Sequence, residues 1–153
     1  MFRFTTEVER VLREAGWFPT RCVSAAEYVN PLTEVGYRPF PLAIKILENL
    51  GGLEINPPES NSNLFFPGKI ILDPVYAASS EFDRVARWQE QYDLRLFPMG
   101  EYEPMFILLC AENGRIFGAR EHHFDWLGDT IESALELLIL ARTRPVPYLK
   151  QRQ

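Results

Sequence analysis

The sequence predicts an α+β domain, a mainly antiparallel sheet flanked by helices. Two observations carry this. Helix-patterned stretches come first and last, with short apolar runs gathered between them, so strands and helices do not alternate as in a βαβ repeat. Asn113-Gly114 then joins two of the apolar runs, and this dipeptide is a strong hairpin signal because both positions tolerate positive φ.

The elements can be taken in chain order. Thr6 is placed to cap a helix over Glu7–Ala15, with Glu9 at capping-box spacing and Gly16 where a C-cap falls. Val8, Val11, Leu12 and Ala15 share one face of it. A second helical stretch starts near Ser24, with Glu27 at capping-box spacing, and is limited by Pro31, and Gly36 stops the segment beyond that proline. A third helix runs over Pro41–Leu50. Pro41 suits its first turn, Ala43, Ile46, Leu47 and Leu50 make its apolar stripe, and Gly51-Gly52 ends it.

Short strands are expected at Leu53–Asn56, Leu64–Phe66 and Ile70–Leu72, with an exposed, mobile loop over Pro57–Asn63 and a turn at Pro67-Gly68. Ser80 with Asp83 begins a fourth helix to about Gln91, with Phe82, Val85 and Ala86 inward and Trp88 open to joining that face. Leu94–Met99 reads as a strand ended by Gly100. Met105–Glu112 and Arg115–Ala119 form the hairpin, and His122–Phe124 extends the sheet. The last helix covers Thr130–Arg142, with Ile131, Ala134, Leu135, Leu138 and Ala141 toward the core. One domain over residues 1–144 results. Pro145-Val146-Pro147 cannot be helical, and 145–153 is expected to be a frayed tail.

Composition fits one globular unit. The chain has 153 residues, 46% hydrophobic and 24% charged, and its 11 Phe, 6 Tyr and 3 Trp offset chain entropy with buried area. The formal net charge of −5 argues against a nucleic-acid surface, which needs a basic footprint, and suits a basic protein partner. Cys22 and Cys110 make no disulfide framework, and Cys110 reads as a buried thiol. The charged N-terminus lacks the apolar core of a signal peptide, and Met105–Ala111 is too short to span a bilayer. A cytoplasmic location is expected.

Catalytic constellations are not found. The two histidines, His122 and His123, are adjacent, so on a strand they point to opposite faces and hardly share a metal. Asp125 stands close enough to orient one of them as a base, but no Gly-x-Ser-x-Gly elbow supplies a nucleophile. The glycines of Asn113–Gly118 belong to the hairpin, and Gly51-Gly52 follows its helix, so neither cradles a phosphate. No catalytic residue, metal or cofactor is assigned.

A binding surface is legible instead. Glu90, Asp93, Glu101 and Glu103 form an acidic set, and Tyr102 stands between two of them before Pro104. Such a loop presents an aromatic anchor with carboxylates that steer a basic partner. Trp17 is expected to close the first helix onto the sheet and Trp126 to do the same before the last helix. Trp88, in a charge-rich amphipathic stretch, is expected at the surface. The candidate contact residues are therefore Trp88, Glu90, Asp93, Glu101, Tyr102 and Glu103.

Five ordered blocks resemble the SUKH superfamily of immunity proteins, closest to its third subfamily. They are AGWFPTR at Ala15–Arg21, AIKILENLGGLEI at Ala43–Ile55, LFPMG at Leu96–Gly100, NGRIFG at Asn113–Gly118 and WLGDTIESALELLI at Trp126–Ile139. The resemblance implies an α+β fold, no cofactor, and neutralisation of a cognate toxin, often a nuclease, in a bacterial polymorphic toxin system. The toxin gene would lie beside this one. Gly16, Trp17, Arg21, Gly51, Gly52, Pro98 and Gly100 match the family's motif positions and read physically as fold determinants, with Arg21 free to pair internally or face a partner. The alternative is a SUKH-like regulatory or scaffold domain unlinked to a toxin. An enzyme using His122, His123 and Asp125 is the remaining rival.

Overall fold

The computed structural model describes residues 2–148. Its elements run α1 (Thr6–Glu14), α2 (Ala26–Glu34), α3 (Pro41–Leu50), β1 (Glu54–Ile55), β2 (Ile70–Ile71), α4 (Pro74–Ala78), α5 (Phe82–Tyr92), β3 (Leu96–Tyr102), β4 (Phe106–Ala111), β5 (Ile116–Arg120), β6 (His123–Gly128), α6 (Ile131–Leu140) and β7 (Val146–Pro147). The strands form one sheet in the order β1 to β7, with every neighbouring pair antiparallel. The predicted α+β class is borne out. No helix of the described residues is long and apolar enough to cross a membrane.

The core sits on both sides of the central strands. Ile107–Ala111 of β4 and Ile116–Ala119 of β5 are buried at every position, so helices and loops cover both faces. Trp88 and Tyr92 of α5 pack on Phe124 of β6, which stacks on Phe117 of β5. Cys110 is buried here as expected, and burial pushes its thiol up to about 12.

Local chemistry explains most of the boundaries. The Thr5 side chain, one residue earlier than expected, accepts from the Val8 amide to cap α1. The α3 stripe is buried as read, with its Pro in the first turn. Thr130 caps α6 in a reciprocal box with Ser133.

Four of the matched motif residues, Trp17, Arg21, Gly51 and Gly52, gather around the end of α3. Trp17 is buried and donates its indole N–H to Asn49 Oδ1 of α3, while α1 itself packs against α6 and the sheet strand β1. Arg21 resolves to internal pairing. Its two guanidinium nitrogens donate to Asn49 O and Gly51 O, both at 2.8 Å. A cation there answers the exposed carbonyls and the negative dipole end of α3. A Cβ at Gly51 would overlap Leu47 O, and Gly52 sits at φ +87°.

Several expectations are corrected. Pro31 lies inside α2 and does not end it: the missing amide costs one bond, but Leu32 is fully buried just beyond, and the helix continues to Glu34. Ser24 does not cap this helix; Ala25 occupies the N-cap without a side-chain bond. Leu64–Phe66 is not a strand, because the Leu64 amide donates to Ala141 O at the end of α6 and joins no ladder. Gly100 does not end β3 but lies within it, beside a register shift, where a Cβ would overlap Ile71 O of β2. The Pro145–Tyr148 stretch does not fray. β7 pairs with Asp125 and Trp126, and Tyr148 packs edge-on against Phe117 at 4.8 Å. The rest of the expected tail, 149–153, lies outside the described residues.

Candidate functional site

The antiparallel order puts two turns at one end of the sheet: 103–105 between β3 and β4, and 121–122 between β5 and β6. The Asn113-Gly114 turn and the entry to β3 lie at the other end. Arg120 ties the two turns together by donating from Nη1 to Pro104 O at 3.1 Å, and its guanidinium lies over the Phe106 ring. Met105 (φ 62°) and Glu121 (φ 52°) are both left-handed without being glycine. Such strain at a side chain larger than Gly persists only where the surroundings hold it, and it gathers at functional sites.

The six predicted contact residues separate. Glu101 and Glu103 belong to this end, half-buried and exposed respectively. Glu90 is exposed on α5, and Asp93 is exposed in the left-handed C-cap of that helix. Asp93 precedes β3 and Glu103 follows it, so about 20 Å of strand stands between them. The two predicted surface aromatics are corrected. Trp88 is 6% exposed because α5 turns it onto Phe124, and Tyr102 is 7% exposed. Tyr102 belongs to the strand, not to the loop. Its ring stacks on Phe106, and its hydroxyl occupies the space where Gly118 lacks a side chain. That hydroxyl has no hydrogen-bond partner among the described residues. Burial, with the nearby Asp125 carboxylate second, holds the phenol well above its usual pKa. Burial likewise raises Asp125, with His123 acting in the opposite sense.

The exposed apolar residue of the turn is Met105, at 79%, which sequence reasoning absorbed into the strand. The turn residues between Glu103 and Phe106 were the available signal. Met105 lines a small groove of about 170 Å³ with Lys69, Ile71, Glu101, Tyr102 and Glu103. At the same end, Arg84, Arg87, Trp88 and Gln91 of α5 face Glu121 and His122 across a groove of about 370 Å³. Neither arginine was singled out from the sequence.

Charge pairing differs between the two ends. Around the Asn113-Gly114 turn, Arg95 pairs with Glu112 at 2.9 Å and Arg115 with Asp129 at 3.5 Å. At the opposite end Glu101, Glu103, Glu121 and Arg87 form no ion pair among the described residues, while Lys69 is engaged by Glu54 and Arg84 by Glu81. Among the described residues no group of three His, Cys, Asp or Glu is placed to hold a metal ion.

The fold defines a small α+β domain with unpaired charges and an exposed methionine on left-handed turns at one end of its sheet. A family model described as SUKH-3 immunity protein matches residues 4–141, and the chain belongs to that family. This bears out the resemblance to the third SUKH subfamily. No curated protein and no solved structure gives a match.

Proposed function

We propose that this protein is a stoichiometric inhibitor that neutralises a cognate toxin of a bacterial polymorphic toxin system by binding it, without catalysis of its own. The toxin is encoded by a neighbouring gene, and the two meet in the cytoplasm. Membership of an immunity protein family supports the class of function. The observation that carries the choice of surface is the unpaired carboxylates of Glu101 and Glu103 beside the exposed Met105.

Those groups suit a basic partner. Carboxylates without internal partners keep their full field for steering, in a chain whose formal charge is −5. Met105 supplies an apolar anchor between them, and an adaptable one, since its side chain is unbranched. Trp88 and Tyr102 serve this surface from beneath, as packing that fixes the turns. Glu90 and Asp93 add to the acidic field at longer range.

Co-expression with the product of the neighbouring gene tests this. Growth should be rescued and a complex should co-purify. The variant Glu101→Lys/Glu103→Lys/Met105→Asp should lose rescue while folding normally, since Glu103 and Met105 are exposed and Glu101 is half-buried. Toxicity without rescue by the unaltered protein, or a non-toxic neighbour, would move the assignment to a scaffold domain.

A further inference from the structure

We propose that the groove between α5 and the β5–β6 turn is a second contact point of the same interface, which seats an acidic side chain of the partner protein against Arg87. This rests on the toxin-binding reading above and adds the chemistry of the partner.

The groove is built by helical spacing. Arg84, Arg87, Trp88 and Gln91 stand at i, i+3, i+4 and i+7 and so share one side of α5. Trp88 is turned inward by its packing on Phe124, which leaves the two arginines and Gln91 along the rim. The facing wall is the turn carrying Glu121 and His122, held by the left-handed Glu121.

The α5 wall of this groove is rich in donors, and Glu121 on the facing wall is the one carboxylate among the lining residues, forming no ion pair with Arg87. Arg84 is committed to Glu81 at 3.4 Å, but Arg87 is exposed and has no carboxylate among the described residues. The indole N–H groups of Trp17 and Trp126 each reach a side-chain oxygen, at 2.8 and 3.2 Å. That of Trp88 meets no acceptor among the described residues, and Trp88 lines this groove. The unpaired Arg87 guanidinium, with the Gln91 amide along the same wall, suits an oxygen acceptor with negative charge. An Asp or Glu side chain fits both the chemistry and the volume of about 370 Å³.

The position completes a pattern. The acidic and apolar groove of Glu101, Glu103 and Met105 and the basic groove of Arg87 open at one end of the sheet, linked by the bond from Arg120 to Pro104 O. A partner that offers a basic group to the first and an acidic group to the second is held in one register. A uniformly basic protein meets repulsion at Arg87, so the pair of grooves discriminates as well as binds.

The test uses the full chain and the product of the neighbouring gene, with affinity measured by titration calorimetry at low and at physiological salt. Arg87→Glu should weaken binding about tenfold or more, Arg87→Gln less, and Arg87→Lys should stay within about threefold of the original. Thermal melting of each variant should match the parent, because Arg87 makes no internal bond among the described residues. Equal affinity of parent and Arg87→Glu overturns the proposal and leaves the toxin reading intact. Absence of binding by the parent overturns both. A labelled oligonucleotide that binds the parent and not Arg87→Glu would assign the groove to phosphate and overturn the proposal.

Discussion

Tyr102 and Gly118 show how one side chain is specified by the absence of another. The Tyr102 hydroxyl rests where a Cβ at position 118 would stand, and it is buried without a partner among the described residues. A buried hydroxyl that bonds nothing has lost its water for no return. Tyr102→Phe should therefore be neutral or stabilise the fold by up to about 1 kcal/mol, read from urea unfolding midpoints. Gly118→Ala should cost about 1–3 kcal/mol or more by overpacking the same space. Greater loss from the first substitution than from the second would mean that the hydroxyl has an acceptor. Arg21 belongs to the same scale. Arg21→Ala removes two charged donors from the carbonyls at the end of α3 and should destabilise by about 2 kcal/mol. Toxin affinity measured well below the melting temperature should not change, because Arg21 faces the protein's own backbone.

At the scale of elements, β7 is the piece whose role is easiest to test. It is only two residues long and contains a proline, yet it delivers Tyr148 to the cluster of Tyr92, Phe117 and Phe124. Tyr148→Ala should lower stability by about 2 kcal/mol through lost aromatic contact, visible as a drop in the melting temperature. An unchanged melting temperature would show that β7 contributes nothing to the core. Elements with dense local signals were legible in the sequence. The α3 boundaries follow from its proline and paired glycines, and the β4–β5 hairpin from Asn-Gly. Elements made by tertiary contact were not. β7 lacks any alternation that would mark a strand, and α2 outlasts Pro31 because Leu32 is anchored. One omission had a signal: Asp73-Pro74 is a cap followed by a first-turn proline, and Asp73 accepts from the Val75 and Tyr76 amides to start α4. At the candidate site the sequence revealed the acidic residues but not their placement. Strand register decided that Tyr102 turns inward and Met105 outward, and that Asp93 lies far from Glu103.

For the whole molecule, the arginines around the Asn113-Gly114 end of the sheet are paired, whereas at the other end Glu101, Glu103, Glu121 and Arg87 form no ion pair among the described residues, although Lys69 and Arg84 there do. The paired arginines near the Asn113-Gly114 turn answer the protein's own carboxylates. The unpaired groups flank strained turns, where the backbone already holds them in position. Surface pairs contribute little to stability, so this difference concerns partners more than folding. The proposed interface thereby joins an acidic, apolar half and a basic half, and its association rate with a complementary partner should fall as salt rises. The most direct measurement is titration of the neighbouring gene's product with this protein, scoring toxin activity and complex stoichiometry together. The account predicts loss of activity at one equivalent, with a stable complex that Glu101→Lys/Glu103→Lys/Met105→Asp fails to form. An active toxin in the presence of excess protein, or a complex indifferent to those three positions, would contradict it.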